Sequence, residues 1–485
     1  MSQYTTELKQ TNAFTFSPVG QEMILIVASD LCVAQEQNVK FCCDITVYKN
    51  ISGSGTPIGT FKTTPNNAGV GIFEIGNIIG NYVSSDNLAT ADSKWKIKGA
   101  RGKTIPIHII DKFSKSPNSI VFCGVKAYTE YLDDSGVLTE TAQIDGIRGY
   151  IFNGYVKNDD LLKWVQPVNW TDAGGFGFDM SDFAIQSSTT RKFLSNSPLT
   201  QWARTSDYGT MAFISQQMLD GSGHNDVKTV KFTFYDEYDA SGASSGNVEL
   251  DVTENNGAYT AGVSSNYFSE RILQFGAFPA NVRAWSDDFN TELNGDMKSY
   301  KIGLYDSDAI LISEEKIVNI LCPNLKGYEQ VRLTWLNQWG TWDYFTFNQK
   351  SVKTISTKGT TYQQLGGTWN KSQYNPYGYK GGKKTFRVNA TEKIKMNTDY
   401  ITEEHSDWFE ELVNSPEIYV LKYWESPRQY TSELFGGTPF GLLNQYVTPV
   451  TLKTTSFTKK TVANDRLIQY TFEVEKSRTL NTQSI

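Results

Sequence analysis

The chain has 485 residues, of which 39% are hydrophobic, 13% aromatic and 20% charged. That balance excludes a disordered chain, and the length predicts roughly two to four domains, because one hydrophobic core rarely covers so many residues. A formal net charge of −7 argues against a nucleic-acid backbone as the main partner, since proteins that bind one carry clustered positive charge.

The 26 Tyr and 27 Phe stand against only 7 Met. Flat rings pack well across a pleated surface, so this bias predicts an all-β, β-dominated chain built of tandem β-sandwich-like modules with a few short helices. Three modules are expected, over residues 1–142, 143–325 and 326–485. No apolar run is long enough to span a bilayer, which argues against a membrane partner. The start, Met1-Ser2-Gln3-Tyr4-Thr5, lacks the charged and apolar regions of an export signal, so synthesis and folding in a cytoplasm are expected.

In the first module, Met23-Ile24-Leu25-Ile26-Val27 fits a buried strand. Phe41, Cys43, Ile45 and Val47 alternate with Cys42, Asp44, Thr46 and Tyr48, the period of a half-buried strand. Ile75, Ile78, Ile79, Tyr82 and Val83 follow the rhythm of one helical face. A strong strand over Ile120–Tyr131 ends at Asp133-Asp134-Ser135-Gly136. Cysteines occur at Cys32, Cys42, Cys43, Cys123 and Cys322. Their odd number and dispersal fit reduced, packed thiols and no disulfide framework.

The second module opens with a strand at Gly149–Val156. Phe193–Pro198 reads as a loop before the strand Met211–Ile214, and Val230–Tyr235 as a strand broken by Asp236–Gly242. Residues 239–264, rich in Ser, Gly, Ala and Asn, predict a long exposed loop or weak hairpin. Phe275–Val282 reads as a turn into a helix, and Tyr300–Tyr305 resumes the sheet.

The third module begins with Val331–Phe347, a strand, a short turn and a second strand crowded with Trp335, Trp339, Trp342, Tyr344, Phe345 and Phe347. One hairpin cannot bury that much ring surface in itself, so a neighbouring sheet or a partner must cover it. Tyr362–Lys384 reads as a long Gly/Tyr/Asn/Lys-rich loop, an interaction arm. Its basic run Lys380-Gly381-Gly382-Lys383-Lys384 reads as a solvated hairpin turn. Thr402 caps a short helix with Glu403 and Glu404 in its first turn. Trp408, Phe409, Leu412 and Val413 form that helix's apolar face, and Pro416 ends it. Ile418–Leu421 is a strand, Val450–Phe457 and Leu467–Glu475 form a last hairpin, and the tail from Ser477 is polar.

Chemistry is weakly represented. His108, His224 and His405 are the only histidines and fall in different modules, with no metal-ligand spacing around them. Asp133-Asp134, Asp236-Glu237 with Asp239, Asp287-Asp288, and Asp306 with Asp308 supply oxygens that Ca²⁺ favours, but turn chemistry explains acids at such places more simply. Gly366-Gly367 and Gly436-Gly437 lack the Gly-Lys-Ser/Thr ending of a phosphate-cradling loop. No catalytic residue, metal ligand or cofactor is predicted, and the chain is not expected to be an enzyme.

Four stretches carry a family resemblance. They are Phe61–Tyr82 with its Pro65-Asn66-Asn67 turn, Phe193–Phe213 with Asn196-Ser197-Pro198 and Asp207-Tyr208-Gly209, Gly276–Val282, and Trp335–Phe347. In order and character they resemble uncharacterised virion structural proteins of tailed bacteriophages. That resemblance implies a neck, tail or capsid-associated component, located in the virion after synthesis in the host cytoplasm. Its partners would be other virion proteins, including copies of itself, and no catalytic residue is carried over. The expected contact surface comprises Trp335, Trp339, Trp342, Tyr344, Tyr377 and Tyr379, because rings anchor interfaces. Two alternatives stand beside it. One is an array of carbohydrate- or receptor-binding β modules; the other is a hydrolase with two carboxylates flanking a cleft in the second module.

Overall fold

The strongest alternation in the sequence becomes the strand Gln37–Tyr48, with Phe41, Cys43 and Ile45 buried and Asp44 and Thr46 half-buried. The structure, a computed structural model, describes residues 4–12, 16–34, 37–48, 54–89, 106–157, 174–176, 178–186, 189–215, 227–252, 272–321, 327–422, 447–454, 456–459 and 468–478. Among these residues strands dominate, in five sheets, and the helices are few and short. The protein is all-β.

The chain divides into two units. Among the described residues, the first comprises those up to 321 together with 336–343. Its first sheet orders Gly174–Phe176, Thr6–Asn12, Ile24–Ser29 and Val70–Glu74. Its second orders Phe16–Pro18, Ile144–Phe152, Ile120–Leu132, Gln37–Tyr48 and Thr56–Thr63. Leu25, Val27 and Phe73 from the first sheet share one core with Phe41, Val125 and Ile151 from the second, which makes the pair a sandwich. The helical rhythm at 75–83 yields only one turn, Gly76–Ile79, and a 3₁₀ turn, Gly80–Tyr82. That is enough to bury Ile75, Ile79 and Val83 in the same core.

Two more sheets complete this unit. One orders Ala184–Ile185, Thr210–Ser215, Ile272–Gly276 and Phe113–Ser116; the other orders Thr200–Ala203, Lys316–Ile320, Ser299–Tyr305, Thr229–Tyr235 and Ser244–Asp251. Phe275 joins them, lying 6.1 Å from Phe213 on its own sheet and 6.4 Å from Phe232 on the other. Ser286 caps the helix Asp287–Asn294 through the Phe289 N–H at 3.1 Å, so the acids at 287 and 288 occupy its favourable first turn.

The pairing bears on three expectations. Strand pairing crosses the expected boundary at 142/143: Ile144–Phe152 is hydrogen-bonded to Ile120–Leu132, and Phe113–Ser116 to Ile272–Gly276. Sequence cannot reveal such long-range pairing, because each strand carries the same alternation whichever neighbour it takes. Of the loop or weak hairpin expected over 239–264, residues 244–251 form a strand paired antiparallel with Thr229–Tyr235; residues 253–264 lie outside the described residues. The division into units falls after Leu321, close to the expected boundary at 325/326, with 336–343 returned to the first unit.

The second unit comprises residues 322–335, 344–423 and 440–485. One seven-stranded sheet orders Trp342–Phe347, Val331–Leu336, Ile418–Leu421, Val447–Leu452, Thr471–Lys476, Gly382–Asn397 and Val352–Gln364. The helix Glu403–Asn414 lays Trp408, Phe409 and Leu412 on it, against Trp335, Phe347, Met396 and Phe472. Thr402 stands at its N-cap, but the hydroxyl bonds to His405 Nδ1 at 2.9 Å and not to the backbone. The last expected hairpin forms, Val450 opposite Lys476; its turn at 463–465 lies outside the described residues. Among the described residues, no helix is long and apolar enough to cross a membrane.

Candidate interaction arm

The aromatic hairpin is core, and this corrects the expectation that its rings form a contact surface. Trp335 is 0% exposed and packs 4.9 Å from Trp408 in the second unit. Tyr344, also buried, lies under the Arg332 guanidinium at 5.3 Å. Trp339 and Trp342 are buried in the first unit. Trp339 sits 4.5 Å from Phe183, and its indole N–H donates to Asn196 Oδ1 at 3.1 Å. Trp342 meets His108 edge-on at 4.8 Å and donates to the Asp86 carbonyl at 3.0 Å. The neighbouring sheets and helix supply the covering that the rings required.

The turn between those strands explains why it is held so firmly. Asn337 Oδ1 accepts from the N–H groups of Trp339 and Thr341, each at 3.0 Å. Its amide nitrogen donates to the Leu194 carbonyl at 2.9 Å and to Asp343 Oδ1 at 3.1 Å. Ser195 adds a 2.7 Å bond to Asp343. Gly340 has φ 71, and a Cβ there would lie 1.9 Å from the Asn153 carbonyl oxygen, so no other residue fits.

Tyr377 and Tyr379 have the opposite fate. They lie at the end of a long hairpin whose strands, Val352–Gln364 and Gly382–Asn397, pair from Val352 opposite Lys395 out to Gln364 opposite Gly382. The expected loop at 362–384 is thus the outer part of a ribbon. Gly382–Asn397 has its second neighbour, Thr471–Lys476, only over Lys393–Asn397. Beyond Glu392 the ribbon is two-stranded for about 30 Å, at ~3.4 Å per residue. Residues 352–363 are all exposed, whichever face they point from.

The tip is nonetheless ordered by its own backbone. Tyr377 N–H donates to the Gly366 carbonyl at 2.8 Å, Thr368 N–H to the Asn375 carbonyl at 3.1 Å, and Thr368 Oγ1 to the Gln373 carbonyl at 2.8 Å. Left-handed Gly381 and Gly382, φ 93 and 76, turn the chain into the return strand. Tyr377, half-buried, and Tyr379, 72% exposed, sit 5.7 Å apart with Lys380 Nζ over both rings, at 5.5 and 5.8 Å. Trp369 at 80%, Tyr374, Leu365 and Phe386 are exposed as well. The sequence names none of these four singly, although Leu365, Trp369 and Tyr374 lie in the loop read as an interaction arm. A usable signal was present: no Asp or Glu occurs from residue 344 to 391, in a chain with 52 of them.

Among the described residues, the groups singled out for chemistry are otherwise engaged. His405 packs among Phe345, Trp408 and Phe409, and burial lowers its pKa to about 4, so it is neutral at neutral pH. His108 is buried in the first unit; His224 lies outside the described residues. Asp133 and Asp306 bind the backbone N–H groups of their own turns, and Asp239 is held by the Asn319 amide at 2.7 Å. Cys42, Cys43 and Cys123 are buried free thiols, with burial pushing Cys43 and Cys123 up to about 12; such thiols are inert. Cys322 and Gly436-Gly437 lie outside the described residues. Among the described residues, no three His, Cys, Asp or Glu side chains could hold one metal ion.

Comparison with family models gives no match, and none of the curated proteins is significantly similar to this chain.

Proposed function

We propose that this chain is a structural component of a tailed-phage virion, of the neck, tail or capsid-associated kind, working by oligomerisation and contacts with other virion proteins. The observation that carries this reading is the arm: a two-stranded ribbon with an ordered tip and large rings held in water. A ribbon of two strands is marginal by itself, and exposed Trp and Tyr are the residues that most often anchor interfaces. A partner surface accounts for both. The sequence resemblance to virion proteins, carried in part by Phe61–Tyr82 and Phe193–Phe213, points the same way. Burial of Trp335, Trp339, Trp342 and Tyr344 moves the expected contact surface onto Tyr377, Tyr379 and their exposed neighbours.

The test is the native mass of the full chain by light scattering across concentration, beside a Trp369→Ala/Tyr379→Ala variant. A defined multiple of 54.4 kDa that the variant loses is the expected result. A chain that stays monomeric both alone and with other virion proteins would sink the reading. Exposed Trp369, Tyr374 and Tyr379 also favour a second reading, a carbohydrate-binding surface, since such rings stack on sugars. Glycan-array binding by the monomer that the same variant abolishes would favour it.

A further inference from the structure

Charge on this chain is segregated, and the segregation follows the arm. From residue 344 to 391 the sequence carries Lys350, Lys353, Lys358, Lys371, Lys380, Lys383, Lys384 and Arg387 and no acid, a net charge of +8. The remaining 37 Lys and Arg face 52 Asp and Glu, a net charge of −15. The whole-chain value of −7 averages two regions of opposite sign.

Register sharpens the pattern. Opposite residues of an antiparallel pair share a face. Lys358 stands opposite Asn389, Thr360 opposite Arg387, and Tyr362 opposite Lys384. Lys358, Arg387 and Lys384 therefore line one face of the two-stranded stretch, beside the Tyr362 ring. The extra residue at Phe386, between Thr385 and Arg387, keeps Arg387 and Lys384 in phase. Nearer the sheet the cations are paired: Lys353 with Glu329, Lys393 with Glu473, Lys476 with Glu392. Among the described residues, Lys358, Lys384 and Arg387 make no ion pair; Lys384 only donates to the Tyr379 carbonyl at 2.9 Å.

We propose that this basic face binds the phosphate backbone of duplex nucleic acid, with the ribbon seated in the major groove. A two-stranded β-ribbon fits that groove, and unpaired cations on one face release counterions on meeting phosphates. Excess negative charge on the rest of the chain keeps the polyanion on the arm. This binding goes beyond the assembly role and does not depend on it.

Fluorescence anisotropy of the full-length chain with a short mixed-sequence DNA duplex tests the proposal. Affinity should fall by about 10²–10³ between roughly 50 and 200 mM salt, as four to six phosphate contacts require. Lys358→Gln/Lys384→Gln/Arg387→Gln should weaken binding at least tenfold and lower the salt slope by about 3. Trp369→Ala/Tyr379→Ala, which removes tip rings and no charge, should leave the slope unchanged. Lys358 and Arg387 are exposed and Lys384 is half-buried with its one bond to the Tyr379 carbonyl; an unchanged melting temperature verifies that the triple variant folds. Absent duplex binding, binding equally tight in the triple variant, or preference for a single strand would each overturn the proposal. So would loss of self-association in the triple variant without any DNA binding, which would assign the cations to an acidic face of another copy.

Discussion

Two turns in this protein are rich in rings, and they end in opposite places. The turn 337–341 carries Trp339 beside Trp342, and each indole N–H has an acceptor inside the first unit. The turn 365–381 carries Trp369, Tyr374, Tyr377 and Tyr379, and its hydrogen bonds satisfy only its own backbone. Ring content alone does not separate a core from a surface. What separates these two is their flanks. Val331–Leu336 has the wholly apolar face Val331, Leu333 and Trp335 and is buried throughout, whereas the arm strands carry Lys, Thr, Ser and Gln on both faces. A strand with no apolar face has nothing to bury.

Breaking the inner turn should have the largest consequence. Gly340→Ala forces a Cβ to 1.9 Å from the Asn153 carbonyl oxygen in a left-handed conformation, and a loss above about 4 kcal/mol is expected from that overlap. Urea unfolding measures it; a loss below about 1 kcal/mol would mean that the turn relaxes freely. Next, Trp342→Ala and Trp335→Ala should each cost about 3–5 kcal/mol, as buried aromatics do. Calorimetry should show the first lowering the transition of the unit that holds His108, and the second that of the unit that holds Trp408.

Acid should act on the second unit through His405. Its folded pKa, about 4, lies below the ordinary 6.5 because burial disfavours the imidazolium. A neutral buried His contributes stability that is complete above pH 6.5 and declines as pH falls toward 4, by up to about 3 kcal/mol. His405→Gln should flatten this part of the pH profile between pH 7 and 4. An unaltered profile would assign the acid sensitivity to other groups. The smallest effect on stability belongs to the arm: Tyr379→Ala should change unfolding by no more than about 0.5 kcal/mol while reducing assembly. A large stability loss there would show that the arm tip is packed after all.

Much of the fold was legible locally. Alternation at 41–48 gave a strand, Phe275–Val282 gave a turn into a helix, and the face of Trp408, Phe409 and Leu412 gave a helix with its core side. The candidate surface was legible only by half. Rings were visible in both turns, but the buried four, Trp335, Trp339, Trp342 and Tyr344, were indistinguishable from the exposed Tyr379 without their neighbours. The run of 48 residues without an acid was visible too, and the whole-chain charge concealed it.

The sequence by itself determined the strand content, the helix at 403–414 and the basic character of the arm, because periodicity and charge act over a few residues. Tertiary structure decided the rest. It tied residues 113–116 to 272–276 across the expected module boundary, sent the two ends of one aromatic hairpin into different cores, and left the arm outside both. Each of these depends on which distant segment supplies the covering surface. That choice is made by the summed burial of many residues, and no short stretch of sequence contains it.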